Sequence, residues 1–164
     1  MTKHAVCVIK NERIQATIYF IQMIDCTHIY GKVFGLNPNQ NHAIHIHEYG
    51  DLTEGCDSCC AHYNPYNMEH GAPDTKNRHV GDLGNILANE HGVAEFSMVD
   101  CLVELTGPFS VVGRSIVIHE DIDDMGLGGH MDSKTTGHAG KRIGCGVIGI
   151  MNEKNKLASN KLCS

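Results

Sequence analysis

Histidine is the residue whose number and spacing carry chemistry in this chain. It occurs twelve times in 164 residues, beside eight cysteines and no tryptophan. Neutral imidazole is the commonest metal ligand, so the count points to metal. His45 and His47 flank Ile46. In a strand such i, i+2 side chains share a face and can reach one ion. Taken alone, that pair is equally two histidines on a solvated strand. His62, His70, His79 and Asp82 then fall within twenty-one residues. Three imidazoles and a carboxylate form a closed tetrahedral set that suits zinc. His119 ends a further apolar run. Single histidines scatter by chance. Seven such groups gathered around two loops do not, because polar side chains are rarely buried without a partner.

Strands must position these groups. Residues 3–10, 14–23, 28–36, 42–49, 82–88, 93–99, 115–120 and 142–150 are short runs rich in strand formers, and they predict about eight strands. Asn89-Glu90-His91-Gly92 reads as a hairpin turn. No segment of useful length has a 3.6-residue period, so no long helix is expected. Residues 50–79 and 121–141 are too long for turns, and connections of more than roughly 12–15 residues are usually functional. They hold Cys56, His62, His70, His79, Asp123 and His138. The length predicts one domain over 1–151 and a flexible tail over 152–164.

Thirteen basic and nineteen acidic residues give a net charge of −6. That argues against nucleic acid and anionic membrane surfaces as partners. No apolar stretch approaches the roughly eighteen residues of a spanning helix. The N-terminal Met1–Lys10 stretch has no apolar signal region, and no Asn-x-Ser/Thr sequon occurs, so the expected compartment is cytoplasmic. Cysteines there are normally reduced or metal-bound. Cys56-x-x-Cys59 lacks the strand–helix context of a redox motif. Cys7 and Cys101 read as core, and Cys163 as an exposed tail thiol.

The segment from His45 to Asp51 resembles the copper-ligand strand of copper–zinc superoxide dismutases. So do Gly55-Cys56, His62-Tyr63-Asn64-Pro65, His70-Gly71-Ala72-Pro73, the stretch His79 to Asn85, Gly113-Arg114-Ser115, Val117-Ile118-His119-Glu120 and the stretch Gly144 to Ile150. The likeness runs from about residue 3 to 151 without large gaps. It implies an all-β fold, an eight-stranded Greek-key β-sandwich or flattened barrel with two long functional loops.

The resemblance further implies copper on His45, His47, His62 and His119, and zinc on His62, His70, His79 and Asp82. His62 is then shared. Copper would alternate between its two oxidation states, with the zinc-bridged His62 as proton donor to peroxide. Asp123 corresponds to a carboxylate bridging a copper-site and a zinc-site histidine, here His45 and His70. Arg142 matches an arginine that guides the superoxide anion to copper, and Thr136 a threonine narrowing the channel opposite it. Cys56 and Cys145 match an intrachain disulfide worth roughly 4–5 kcal/mol in the chain-entropy model. A homodimer face near Tyr49, Gly50, Asp51, Gly113 and Ile150, and loading by a copper chaperone, are also implied.

This chain departs from the family pattern in several places. Met131 replaces an acid, the loop's lysine is displaced to Lys134, and His138 stands where Asn is usual. Those changes bear on how the anion is steered. Cys59 and Cys60 stand where small non-thiol residues are usual. They either permit thiol exchange with Cys56 or are buried small apolar groups. A silent metal-binding or copper-delivery module is a second reading, disfavoured because all four copper ligands are kept. A plain sandwich with surface histidines is a third. Metal analysis with a superoxide-scavenging assay separates the three.

Overall fold

A computed structural model describes residues 3–152 and Lys154. Most of the tail expected over 152–164, with Cys163, lies outside the described residues. Eight strands form: β1 (His4–Lys10), β2 (Gln15–Gln22), β3 (Thr27–Phe34), β4 (Asn41–His47), β5 (Asp82–Leu87), β6 (Val93–Asp100), β7 (Ser115–His119) and β8 (Arg142–Ile150). The helical elements are a 3₁₀ turn, Asp57–Cys59, and α1 (Ser133–Thr136). The predicted strand runs coincide with these elements to within one or two residues at each end.

All pairings are antiparallel, in the order β5-β4-β7-β8-β1-β2-β3-β6. The end strands β5 and β6 approach each other, so the sheet nearly closes into a barrel. Strand β7 returns to lie beside β4, giving the spatial order β7-β4-β5-β6 of a Greek key.

Strand periodicity builds the core. On β1 and β2, Ala5, Cys7, Ile9, Ala16, Ile18 and Phe20 alternate inward while their neighbours face solvent. Strands β4 and β7 differ, being buried on both faces. Ile44, Ile46, Ile116 and Ile118 enter the core. The outward His45, His47 and His119 are buried as well, because the two long loops fold over that face. Each fully buried isoleucine contributes about 1.5–3 kcal/mol. The barrel therefore has an apolar core of its own beneath the histidines.

Two disulfides tie loops to this frame. Cys56, at the start of the 3₁₀ turn, is bonded to Cys145 on β8. Cys26 is bonded to Cys101. The second bond corrects the expectation that Cys101 is a core thiol: Cys101 is exposed. The β3–β6 register explains the pairing. Thr27 lies opposite Asp100, which brings the next residues out, Cys26 and Cys101, face to face. Of the two adjacent cysteines, Cys59 is buried and Cys60 exposed, so the reading of both as buried holds for one.

Candidate metal centre

Strand geometry brings the first four histidines together. His45 and His47 leave the same face of β4, and His119 ends β7 beside them. A bulge before His45 sets it opposite Asp82, and a bridge pairs His47 with His62 of the first loop. Donor atoms of His45, His47, His62 and His119 all lie within 4.8 Å of one another. So do those of His62, His70, His79 and Asp82. Every one of these side chains is buried.

Hydrogen bonds on the far side of each ring decide which nitrogen faces inward. His47 Nδ1 donates to the Cys60 carbonyl at 2.8 Å, and His119 Nδ1 to the Gly140 carbonyl at 3.3 Å. Their Nε2 atoms are left as lone pairs, 3.4 Å apart. His45 Nε2 donates to Asp123 Oδ2 at 2.8 Å and His70 Nε2 to Asp123 Oδ1 at 2.7 Å. Their Nδ1 atoms therefore point into the clusters. Such outer acceptors fix ring orientation and tautomer in metal sites.

His62 belongs to both clusters. Its Nδ1 lies 2.9 Å from Asp82 Oδ1 and 3.4 Å from His79 Nδ1, while its Nε2 is buried without a hydrogen-bond partner. His45 Nδ1 is buried and unpartnered too. His70 Nδ1 and His79 Nδ1 approach Asp82 Oδ1 to 2.9 and 3.1 Å. Tetrahedral zinc with ligand bonds near 2.0 Å has donor–donor edges of about 3.3 Å, so the spacing and donor types fit zinc. Four inward imidazole nitrogens fit copper. Orphaned buried lone pairs are what a bound cation would satisfy.

The electrostatics follow from burial and from the two carboxylates. Burial, then the neighbouring His62, holds His45 and His47 well below the ordinary imidazole range. Burial likewise lowers His119 to about 4. For His62, burial outweighs the support of Asp82, and its pKa falls. His70 goes the other way: burial alone would lower it, but Asp123 and Asp82 hold it up at about 9. Burial alone would raise both carboxylates, yet their histidine partners keep Asp82 and Asp123 well below the usual range.

Arg142 opens β8 as the register partner of His119. Its guanidinium donates to the carbonyls of Cys56 at 2.7 Å and Cys60 at 2.6 Å, the two ends of the 3₁₀ turn. Thr136 is exposed, and its hydroxyl is engaged by Asp132 rather than by any histidine of the clusters. A cleft of about 500 Å³ runs over His62 and His79, with Glu48, Glu69 and Lys134 on its wall. His138 pairs with Asp132 at 2.8 Å and stacks on His130 at 3.7 Å.

Sequence reasoning missed several supports. Asn85 clamps Asp123, accepting its N–H at 2.8 Å and donating to its carbonyl at 3.0 Å. An asparagine inside a strand run was the available signal. Buried Arg78 donates to the Asp82 carbonyl at 2.7 Å and to Asp100 Oδ2 at 2.6 Å. Nothing in the sequence links those three. Gly137, at φ +69, lets the second loop close on the Asp123–His70 bond; a Cβ there would meet Asp123 Oδ1 at 2.2 Å.

Comparison with known proteins places these features in a family. Residues 14–148 match the model described as copper/zinc superoxide dismutase. A Cu-Zn superoxide dismutase of Paramecium bursaria Chlorella virus 1 is 51% identical over 140 residues, 85% of this chain and 75% of that one. Cu-Zn superoxide dismutase 3 of Arabidopsis thaliana is 48% identical over 141 residues, 85% of each chain. The crystal structure of the clock protein EA4 superposes with a TM-score of 0.89 at 42% identity, covering 92% of this chain and 97% of that one.

Proposed function

Because this chain belongs to the copper/zinc superoxide dismutase family, we propose that its two histidine clusters divide the family's two metals between them. It is an oxidoreductase acting on superoxide, with copper and zinc as cofactors. The reaction converts two superoxide anions and two protons to dioxygen and hydrogen peroxide. In the proposed division, His45, His47, His62 and His119 hold copper, and His62, His70, His79 and Asp82 hold zinc. Copper supplies a one-electron couple and zinc a fixed positive charge.

The side chains do the rest. His62 offers opposite ring nitrogens to the two clusters, and that single observation carries the reading. Its Nε2 is the atom that takes up a proton and gives it to the reduced substrate. Arg142, held by two carbonyls, keeps a fixed guanidinium beside His119 and attracts a small oxyanion to it. Thr136 narrows the approach. Asp123 keeps His45 and His70 turned inward.

Anomalous-scattering maps at the copper and zinc edges, with a dismutation assay on the same preparation, test the proposal. One copper peak inside the first cluster, one zinc peak inside the second, and activity are expected. A single shared ion, exchanged metals, or bound metal without activity would overturn it.

Assembly and compartment belong to the same proposal. Tyr49, Val147 and Ile150 are exposed apolar side chains, and they suit a homodimer. Copper is delivered by a chaperone, and the site of action is the cytoplasm. Among the described residues no helix is long and apolar enough to cross a membrane.

A further inference from the structure

The described free thiols are Cys7, Cys59 and Cys60, and all three lie near the Cys56–Cys145 disulfide in sequence or in space. Each sits differently. Cys7 is in the core beside Gly146, where a Cβ would come within 3.0 Å of its sulfur, and burial pushes its thiol up to about 12. It stays protonated and inert. Cys60 adopts φ +65 at the end of the 3₁₀ turn, and its side chain faces solvent.

Cys59 is the one aligned with the bond. The turn Asp57–Cys59 begins at Cys56, and Cys59 N donates to the Cys56 carbonyl at 3.3 Å. A 3₁₀ helix has three residues per turn, so side chains at i and i+3 eclipse. Cys56 and Cys59 therefore leave the turn on the same side, and on that side Cys56 is bonded to Cys145 of β8. Cys59 is fully buried there, and its thiol has only a long 3.6 Å contact to the Asp51 carbonyl.

We propose that Cys59 is a resolving thiol for the Cys56–Cys145 disulfide, able to move the crosslink to Cys56–Cys59 and free β8 from the first loop. The Cys59 thiolate attacks Sγ of Cys56. The Cys56–Cys145 bond breaks as the Cys56–Cys59 bond forms, and Cys145 leaves as a thiolate that takes up the proton Cys59 lost. One disulfide exists before and after, so no oxidant or reductant is consumed. With its metals bound, the first loop is held through His62, His70 and His79, and the native bond is favoured. The metal-free chain lacks that restraint and is where migration accumulates. Arg142 lies three residues before Cys145 and is anchored to both ends of the same turn, so migration loosens its anchorage. That consequence rests on the role given to Arg142 above; the disulfide exchange does not.

The test is a peptide map of the full chain, metal-loaded and metal-free. Each form is incubated at mildly alkaline pH without reductant, quenched in acid, unfolded and alkylated. The expected result is a Cys56–Cys59 species with Cys145 alkylated, enriched in the metal-free form. It is lost in Cys59→Ser and Cys59→Ala and retained in Cys60→Ser. Cys56–Cys145 as the sole disulfide of that loop, with Cys59 alkylated in both forms, overturns the proposal. So does a new bond carried by Cys60.

Discussion

Asp123 belongs to neither four-residue cluster, yet it acts on both. One carboxylate accepts from His45 and His70, and so decides which ring nitrogen each turns toward its cluster. Asparagine has a single acceptor oxygen and would leave one ring free to flip. Asp123→Asn is expected to weaken metal retention about 10–100-fold, read by competition with a chelator. Unchanged retention of both metals would show that loop packing alone orients the rings. Arg142 poses the complementary case, because it touches no cluster donor. Arg142→Ala should leave copper and zinc content intact while lowering kcat/KM for superoxide by about tenfold or more at low ionic strength, with a flatter salt dependence. Stopped-flow or pulse-radiolysis rates across a salt series would show it. His42 marks the limit of counting histidines. It is as buried as the rest, yet Nε2 accepts from Asn37 N and Nδ1 donates to the His119 carbonyl. Both nitrogens are satisfied, so it is a structural histidine beside the clusters.

At the level of elements, the site is a strand face covered by loops, and what fixes the loops decides its order. Arg78 and Asp100 join the segment before β5 to the end of β6 through a buried ion pair. Asp100 also accepts from Leu102 and Val103 N–H at 2.8 and 3.1 Å. Removing one partner of a buried pair typically costs about 3–5 kcal/mol. Asp100→Asn is expected to destabilise the protein by that order in denaturant unfolding and to speed zinc loss, since Arg78 also holds the Asp82 carbonyl. An unchanged unfolding midpoint would show that the amide satisfies Arg78. The strands were legible in the sequence because alternation writes them directly, as in Ala5, Cys7 and Ile9. The donor cluster was legible because its residue types and spacing are chemically selective. Arg78–Asp100 and Cys26–Cys101 were not, because the first depends on how the loop before β5 folds against the end of β6 and the second on the β3–β6 register. That register sets Thr27 against Asp100 across a separation that no local pattern encodes. Cys101 in isolation looks like any buried small residue. Its exposure and its partner appear only once the strands are paired.

For the molecule as a whole, the metal-free state makes the cost of this design measurable. Burial leaves His45, His47, His62 and His119 with lowered pKa values in the folded chain, His119 at about 4. An unfolded imidazole titrates near 6.5, at about its model value. Between those values the unfolded chain binds more protons, so stability rises with pH there. The stability these four groups allow is fully present above about pH 6.5 and is lost as pH falls toward 4. Asp82 and Asp123, held low by their histidine partners, add a second loss below the ordinary carboxylate range. His70 has the opposite sign. Raised to about 9, it contributes fully below about pH 6.5 and loses that contribution as pH climbs through 9. The metal-free protein should therefore have its highest melting temperature near pH 6.5–7, fall steeply between pH 6.5 and 4, and decline gently between about 7 and 9. Metal binding needs deprotonated ligands and releases protons, so in the loaded protein the acid limb should move to the pH at which the ions leave. Scanning calorimetry from pH 4 to 9.5, with and without chelator, separates the two limbs. A metal-free melting temperature that stays flat or rises on acidification from 7 to 4.5 would mean that the histidine face already opens to water once its cations are gone.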